Sequence, residues 1–288
     1  MFAAHAAAVS RKDKAGSLIL IKDTCAPIAQ SRHIMATCMS NSVAEISVDA
    51  FRSALPDGWA ESAIADDLCA LGEPQALARG EALACDADHD RLVYIARGAA
   101  KLVTRPLPNS DDAAASGAVQ VLAFHFAGDM ISVLRQESGA AGGHFRLIAL
   151  DDCQLITFST DEFLDIAQSD PTILRWVLTR SLQALHRSRT RMMQLGHKSA
   201  RQRIADFLVS MAERLNDSTS EACRLILPMS RRDIGDSLGL TIETVSRQFT
   251  DLREAGLIKT KGRSLVELLD LPALAQAAGQ PCVTGPVQ

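Results

Sequence analysis

Glu243, Ser246 and Arg247 are the residues whose types and spacing most directly allow chemistry in this chain. Spaced at i, i+3 and i+4, they share one face of a helix near its N-terminus. An arginine presents two parallel donors that fit guanine O6 and N7, a glutamate accepts from the cytosine N4 amino group, and a small serine permits close approach to a neighbouring base or methyl. Such a trio can read a few base pairs of double-stranded DNA from the major groove. A solvent-exposed Glu243–Arg247 ion pair worth about 0.3–0.5 kcal/mol would show the same spacing on a helix that reads nothing.

The flanking residues favour the first reading. Ser230-Arg231-Arg232-Asp233 has the spacing of a capping box, although Asp reaches back less well than Glu. Ile234 and Leu238 then lead to Gly239, which suits a left-handed helix end, and Thr241 can cap the next helix. Residues 230–238 and 241–255 therefore read as helix, short turn, helix. Ile242, Val245, Phe249 and Leu252 are expected to face the core of the unit. A hairpin pattern follows from Gly256 to Val266, in which Lys259, Lys261 and Arg263 suit phosphate contacts, which position without specifying. The hydroxyls of Ser230, Thr241 and Thr244 are expected to join them on the backbone.

Two such units must be held apart at a fixed distance, and the upstream sequence offers a spacer. After Ser169, Asp170 and Pro171, the residues Ile173, Val177, Leu178, Leu182, Leu185, Met192 and Leu195 recur at three-, four- and seven-residue intervals. This predicts one helix of about 25 residues, roughly 37 Å long. Its apolar stripe needs a partner. The same helix from a second copy supplies one, making Ile173, Val177, Leu178, Leu182, Leu185 and Met192 a homodimer interface; a core helix lying across its own barrel is the alternative. A second helix runs to about Leu215, and Leu225-Ile226-Leu227 reads as a strand.

Between about Leu77 and Phe158 short apolar runs such as Leu92-Val93-Tyr94-Ile95, Ala99 to Val103 and Val119 to Phe126 are separated by turn material. They predict an antiparallel sandwich or barrel preceded by a helical region from Val48 to Leu71. The fold class is thus α+β, divided as a disordered extension (1–40), a sensor β-barrel (41–168), a dimerisation helix (169–196), a winged helix-turn-helix (197–270) and a tail (271–288).

The 288 residues are 47% hydrophobic and 22% charged with 17 Gly and 10 Pro, which excludes fibrous and low-complexity architectures. No run of eighteen apolar residues suggests a membrane span, and the basic residues Arg11, Lys12 and Lys14 follow the small apolar N-terminal patch, the reverse of a signal peptide, so a cytoplasmic location is expected. The net charge of -4 conceals an asymmetry: residues 1–170 hold 13 Lys and Arg against 23 Asp and Glu, whereas residues 171–205 hold eight basic residues and no acid. Concentrated basic charge suits a polyanion, or a solvated helix face. Seven cysteines without paired spacing argue against a disulfide framework.

A barrel, a long helix and a winged helix-turn-helix in this order, with Thr241-Ile242-Glu243-Thr244-Val245-Ser246-Arg247, resemble the CRP/FNR family of bacterial transcription regulators. The resemblance covers roughly residues 45–270 and extends to Phe124-His125-Phe126-Ala127-Gly128-Asp129 and to Arg97-Gly98 through Lys101. Glu243, Ser246 and Arg247 resemble the FNR and FixK branches; the CRP branch places an arginine where this chain has Ile242. The resemblance implies a homodimer on an inverted repeat with TTGAT or TTGAC half-sites, and RNA polymerase as a further partner.

It also implies what to look for in the sensor. Cyclic-nucleotide-binding members use a Gly-Glu pair for the ribose and an Arg-Ser pair for the phosphate, where this chain aligns Ser132-Val133 and Gly143-His144. Burying a phosphate without a cationic partner is costly, so this ligand is disfavoured. An iron–sulfur cluster is disfavoured because Cys25 and Cys38 are widely spaced and Cys153 reads as a small core residue. His125 or His144 could ligate haem, which is also disfavoured. No metal site and no cofactor is expected. A FixK-like regulator, controlled by abundance or by oxidation of an exposed Cys85, Cys153 or Cys223, needs none. The rivals are an effector-binding barrel whose helix-turn-helix reads no bases, and a cupin-type enzyme, for which His89, His125 and His144 lack tight ligand spacing. A non-enzymatic role is therefore expected.

Overall fold

The computed structural model describes residues 48–84, 89–105, 119–133, 144–216 and 222–280. The expected extension 1–40, Cys25, Cys38, Cys85 and Gly143 lie outside the described residues.

The N-terminal half contains two antiparallel sheets. In one, β1 (Glu73–Leu77), β7 (Cys153–Ser159), β2 (Arg91–Arg97) and β5 (Met130–Val133) lie side by side in that order; in the other the order is β4 (Gln120–Phe126), β3 (Ala99–Arg105), β6 (His144–Ala149). The run Leu92-Val93-Tyr94-Ile95 is apolar throughout because β2 is covered on both faces. Val93 and Ile95 meet Leu147 and Ala149 of the second sheet, forming the core between the sheets. Leu92 and Tyr94 point the other way, toward Phe51, Phe158 and Phe163. This second side is closed by helices: α1 (residues 48–54), α2 (Ala63–Leu71) and α3 (Thr160–Ala167). Of the sandwich or barrel that the strand pattern predicts, the structure forms the sandwich: two antiparallel sheets face to face, a jelly roll with flanking helices.

The second sheet is also covered on both faces. Ala100, Leu147 and Ala149 look inward, while Ala99, Val103, Val121, Phe124 and Phe126 look outward into one continuous apolar cluster shared with the C-terminal third of the chain. Phe124 and Phe207 meet edge to face there, with centroids 6.0 Å apart. A sheet face buried in this way fixes strand register, since a slip of one residue would turn Lys101 inward.

Helix α4 (Pro171–His197) has 27 residues, about 40 Å of helix. The Asp170 carboxylate starts it by accepting from the amides of Thr172 at 2.7 Å and Ile173 at 3.3 Å. One part of the expected stripe is corrected. Ile173 and Val177 are buried with Phe51, Phe158 and Phe163, because the first two turns of α4 lie against that cluster, so both belong to the chain's own core. Leu178, Leu182, Leu185 and Met192, further along, are exposed, as are Leu174 and Met193.

The C-terminal third comprises α5 (Ala200–Leu215), β8 (Cys223–Ile226), α6 (Arg231–Leu238), α7 (Ile242–Glu254), β9 (Ile258–Lys261), β10 (Leu265–Leu268) and α8 (Leu271–Ala277). The three strands form a sheet in the order β8-β10-β9, which makes α6 and α7 a winged helix-turn-helix. The expected tail does not begin at 271. Asp270 caps α8 by accepting from the Ala273 amide at 2.8 Å, Leu274 and Ala278 are buried in the shared cluster, and Gln280 donates to the buried Asp206 at 3.0 Å. Its short, alanine-rich sequence carries little helical period, which is why the sequence alone does not announce it.

Candidate nucleic-acid interface

The two helices of the motif are punctuated as their sequence dictates. Ser230 Oγ accepts from the Asp233 amide at 3.2 Å, and Asp233 Oδ2 accepts from the Ser230 amide at 2.9 Å and from the Ser230 hydroxyl at 2.6 Å, a reciprocal box. Gly239 ends α6 at φ 63°, where a side chain would be strained. Gly235 has a different reason for being glycine: a Cβ there would fall 2.6 Å from the Leu240 carbonyl oxygen, so the close crossing of α6 with the turn requires its absence. Thr241 then caps α7, its hydroxyl accepting from the Thr244 amide at 3.2 Å.

Along α7, Val245, Gln248, Phe249 and Leu252 are buried and Glu243, Ser246 and Arg247 are exposed together. The expectation for Ile242 is corrected: it is 39% exposed, because burial along α7 begins one turn later, at Val245. Ser246 donates to the Ile242 carbonyl at 2.8 Å, which orients its oxygen while leaving acceptor capacity outward. The Glu243 carboxyl is held below the ordinary range by hydrogen bonds from its own amide and from the Thr241 side chain, which keeps it an ionised acceptor at the exposed start of α7. No Glu243–Arg247 ion pair forms, which leaves the Arg247 guanidinium unengaged by the acid that the simple ion-pair reading assigns to it.

The predicted phosphate-contacting side chains flank this face. Lys259, Lys261 and Arg263 are exposed along β9 and the wing turn, opposite the buried Ile258, Val266 and Leu268. Thr241 is exposed and Thr244 half-buried, with their hydroxyls 3.2 Å apart. Ser230 is exposed although its hydroxyl is engaged in the box.

Sequence reasoning missed the supports of this face. Arg231 lies with its guanidinium 3.3 Å from the Phe249 ring centroid, joining α6 to α7. Lys101 Nζ is 2.5 Å from Asp233 Oδ1, across 132 residues of sequence. Burial raises the Asp233 carboxyl, but hydrogen bonds from Lys101 and Ser230 outweigh this and lower it. No local periodicity could signal a partner so distant.

The jelly roll offers less chemistry. His125 Nδ1 lies 3.5 Å from Asp129 Oδ2, and Asp129 also accepts from Arg214 and from the Phe126 amide. Burial alone would raise the Asp129 carboxyl; the His125 hydrogen bond and the Arg214 charge outweigh it and hold the group at about 2. Among the described residues no three His, Cys, Asp or Glu side chains gather as metal ligands. Cys153 is buried and donates to the Ala99 carbonyl at 3.0 Å; burial and the nearby Asp151 push its thiol up to about 11. Cys223 is half-buried at the start of β8. Ser132 is exposed on β5. No helix among the described residues is long and apolar enough to cross a membrane.

A model of the Crp-like helix-turn-helix domain matches residues 202–277. The nitrogen fixation regulation protein FixK of Azorhizobium caulinodans is 30% identical over 81% of this chain and 94% of its own length. The transcriptional activator protein FnrA of Stutzerimonas stutzeri is 28% identical over 74% of this chain and 83% of its own. The structure of FixK2 from Bradyrhizobium japonicum superposes with a TM-score of 0.58 at 28% identity, covering 72% of this chain and 96% of that one. These relatives are regulators rather than enzymes, and their similarity extends through both the jelly roll and the winged helix. The chain belongs to the CRP/FNR family of DNA-binding transcription regulators, with a FixK-like character.

Proposed function

We propose that the chain acts as a cytoplasmic homodimer that reads an inverted repeat of TTGAT or TTGAC half-sites. The observation that carries this reading is the joint exposure of Glu243, Ser246 and Arg247 on the first turns of α7, beside a basic wing. Arg247 donates to guanine O6 and N7, Glu243 accepts from a cytosine amino group, and Ser246 meets a neighbouring base. Thr241, Thr244, Lys259, Lys261 and Arg263 hold the phosphates on either side and fix the register, whereas Ser230, whose amide and hydroxyl both donate to Asp233, serves the helix cap instead.

Two α7 helices must meet successive major grooves about 34–36 Å apart, a spacing that a two-fold partner provides. Leu178, Leu182, Leu185 and Met192 form the seam of that partner contact along α4. Four exposed apolar residues at four-, three- and seven-residue steps support a helix-on-helix seam more than a solvated face. The bound dimer then offers its surface to RNA polymerase. Within this scheme residues 41–168 are the sensor, 169–196 the dimerisation helix and 197–280 the DNA-binding domain, which includes α8.

Sedimentation and fluorescence anisotropy test the proposal together. A dimer that binds the inverted repeat at least about 10³ tighter than a scrambled duplex of equal length is expected. Equal affinity for the two duplexes would contradict it.

A further inference from the structure

Leu178, Leu182, Leu185 and Met192 are exposed along α4 at steps of four, three and seven residues. The seven-residue step passes over one position of the repeat, and Arg189 occupies it. At about 100° per residue the five side chains leave the helix within about 80° of one another, with Arg189 inside the stripe and not at its border. The apolar seam thus carries a charged guanidinium between its third and fourth members, and Arg189 is exposed as they are.

Other arginines of the helix are directed elsewhere. Arg180 donates to the Gly128 carbonyl at 2.8 Å and its guanidinium lies 4.7 Å from the Trp176 ring centroid; Arg191 donates to the Leu122 carbonyl. Both face the chain's own jelly roll, on the side of α4 away from the seam. Arg189 makes no such bond: among the described residues none pairs with it or hydrogen-bonds to it. The neighbouring sequence offers no acid either. Residues 171–205 contain neither Asp nor Glu, and the turns on either side of Arg189 add His186, Arg187 and Arg191.

A two-fold helix contact brings each residue of its seam against its own copy. Two Arg189 side chains of like charge then meet where the leucines exclude water. Burying them unpaired opposes association, because a charge taken from water needs a counter-charge and partners for its N–H groups. Helix α4 supplies no counter-charge of its own. A guanidinium presents parallel N–H donors that match two oxygens of a tetrahedral oxyanion, and two guanidiniums across a two-fold axis match both pairs.

We infer that the paired Arg189 side chains form a binding site for an inorganic oxyanion of the phosphate class, completed only when two copies meet, so that the anion promotes dimerisation. The site rests on the α4 seam proposed above. It gives association and DNA binding opposite responses to ions: DNA affinity falls as salt rises, whereas the dimer gains from the anion.

Sedimentation of the full chain in chloride, with and without about 5 mM inorganic phosphate at equal ionic strength, tests the site at a concentration where general salting effects are small. Wild type should dimerise at least about fivefold more tightly with phosphate. Arg189→Leu, which completes the apolar repeat, should dimerise at least about tenfold more tightly than wild type in chloride and be indifferent to phosphate. Arg189→Lys should stay weak in chloride and lose most of the phosphate response, since a point charge lacks the parallel donors. An equal response of wild type and Arg189→Leu to phosphate overturns the site, as does an Arg189→Leu dimer no tighter than wild type in chloride. Leu182→Glu separates the two proposals. A dimer that survives it removes the seam and the site together, whereas a dimer that it abolishes but that phosphate leaves unchanged removes the anion site alone.

Discussion

The guanidinium of Arg231 lies over the Phe249 ring at 3.3 Å, bracing the first helix of the motif against the helix that carries Glu243, Ser246 and Arg247. Burial pushes the Arg231 pKa down to about 10, and its Nη1 is buried without a hydrogen-bond partner, so the ring is the contact that offsets the desolvated charge.

Removing that brace should loosen the motif without changing what it reads. Arg231→Ala is expected to lower stability by about 1–2 kcal/mol, measured as a shift of the urea midpoint, and Arg231→Met by less, because Met refills the slot over the ring and removes the orphaned donor. A Met variant less stable than the Ala variant would show that the charge is not held at a cost.

The wing lysines should act on affinity alone. Lys261→Ala is expected to weaken binding to all duplex sequences alike and to reduce the salt slope by about one. Anisotropy titrations at four salt concentrations supply both numbers. A loss confined to one half-site sequence would reassign Lys261 to base reading.

Along α4, substitutions at Ile173 and at Leu182 should separate stability from association. Leu182→Glu, on the exposed seam, is expected to convert dimer to monomer in sedimentation while leaving the chain folded. Ile173→Ala, inside the Phe51 cluster, is expected to cost about 2–4 kcal/mol of stability and leave association intact. Retention of the dimer in Leu182→Glu would remove the seam from the account.

Acid should be felt through Asp129. Its folded-state pKa, about 2, lies below the ordinary 3.8, so the stabilisation is present above about pH 4 and is lost as the pH falls toward 2. The difference is roughly 2 kcal/mol. Denaturant midpoints of wild type and Asp129→Asn, compared from pH 6 to pH 2, should converge over that window; a constant gap would place the effect elsewhere.

What was legible in the sequence was what is local. Ser230, Gly239 and Thr241 announce helix ends within a few residues of themselves, and Glu243, Ser246 and Arg247 share a face by spacing alone. Ile173 and Val177 carry the same period as Leu178 and Leu182, but period gives a face and not the neighbour that covers it. Here the neighbour changes about two turns into the helix, from the chain's own Phe51 cluster to the exposed side. Ile242 fails for a related reason: its place on the apolar stripe does not show that burial begins one turn further on. Lys101 with Asp233, and Arg191 with the Leu122 carbonyl, pair residues far apart in the chain, and nothing in either neighbourhood encodes the other.

The most direct test is a base-by-base substitution of one half-site, read by anisotropy with wild type and Arg247→Ala. Wild type should lose about 1–3 kcal/mol at the matched guanine, and the variant should have lost that amount already and show no preference there, with its preferences at other positions kept. A variant that weakens equally on every sequence while still preferring that guanine would contradict base reading by the exposed face of α7.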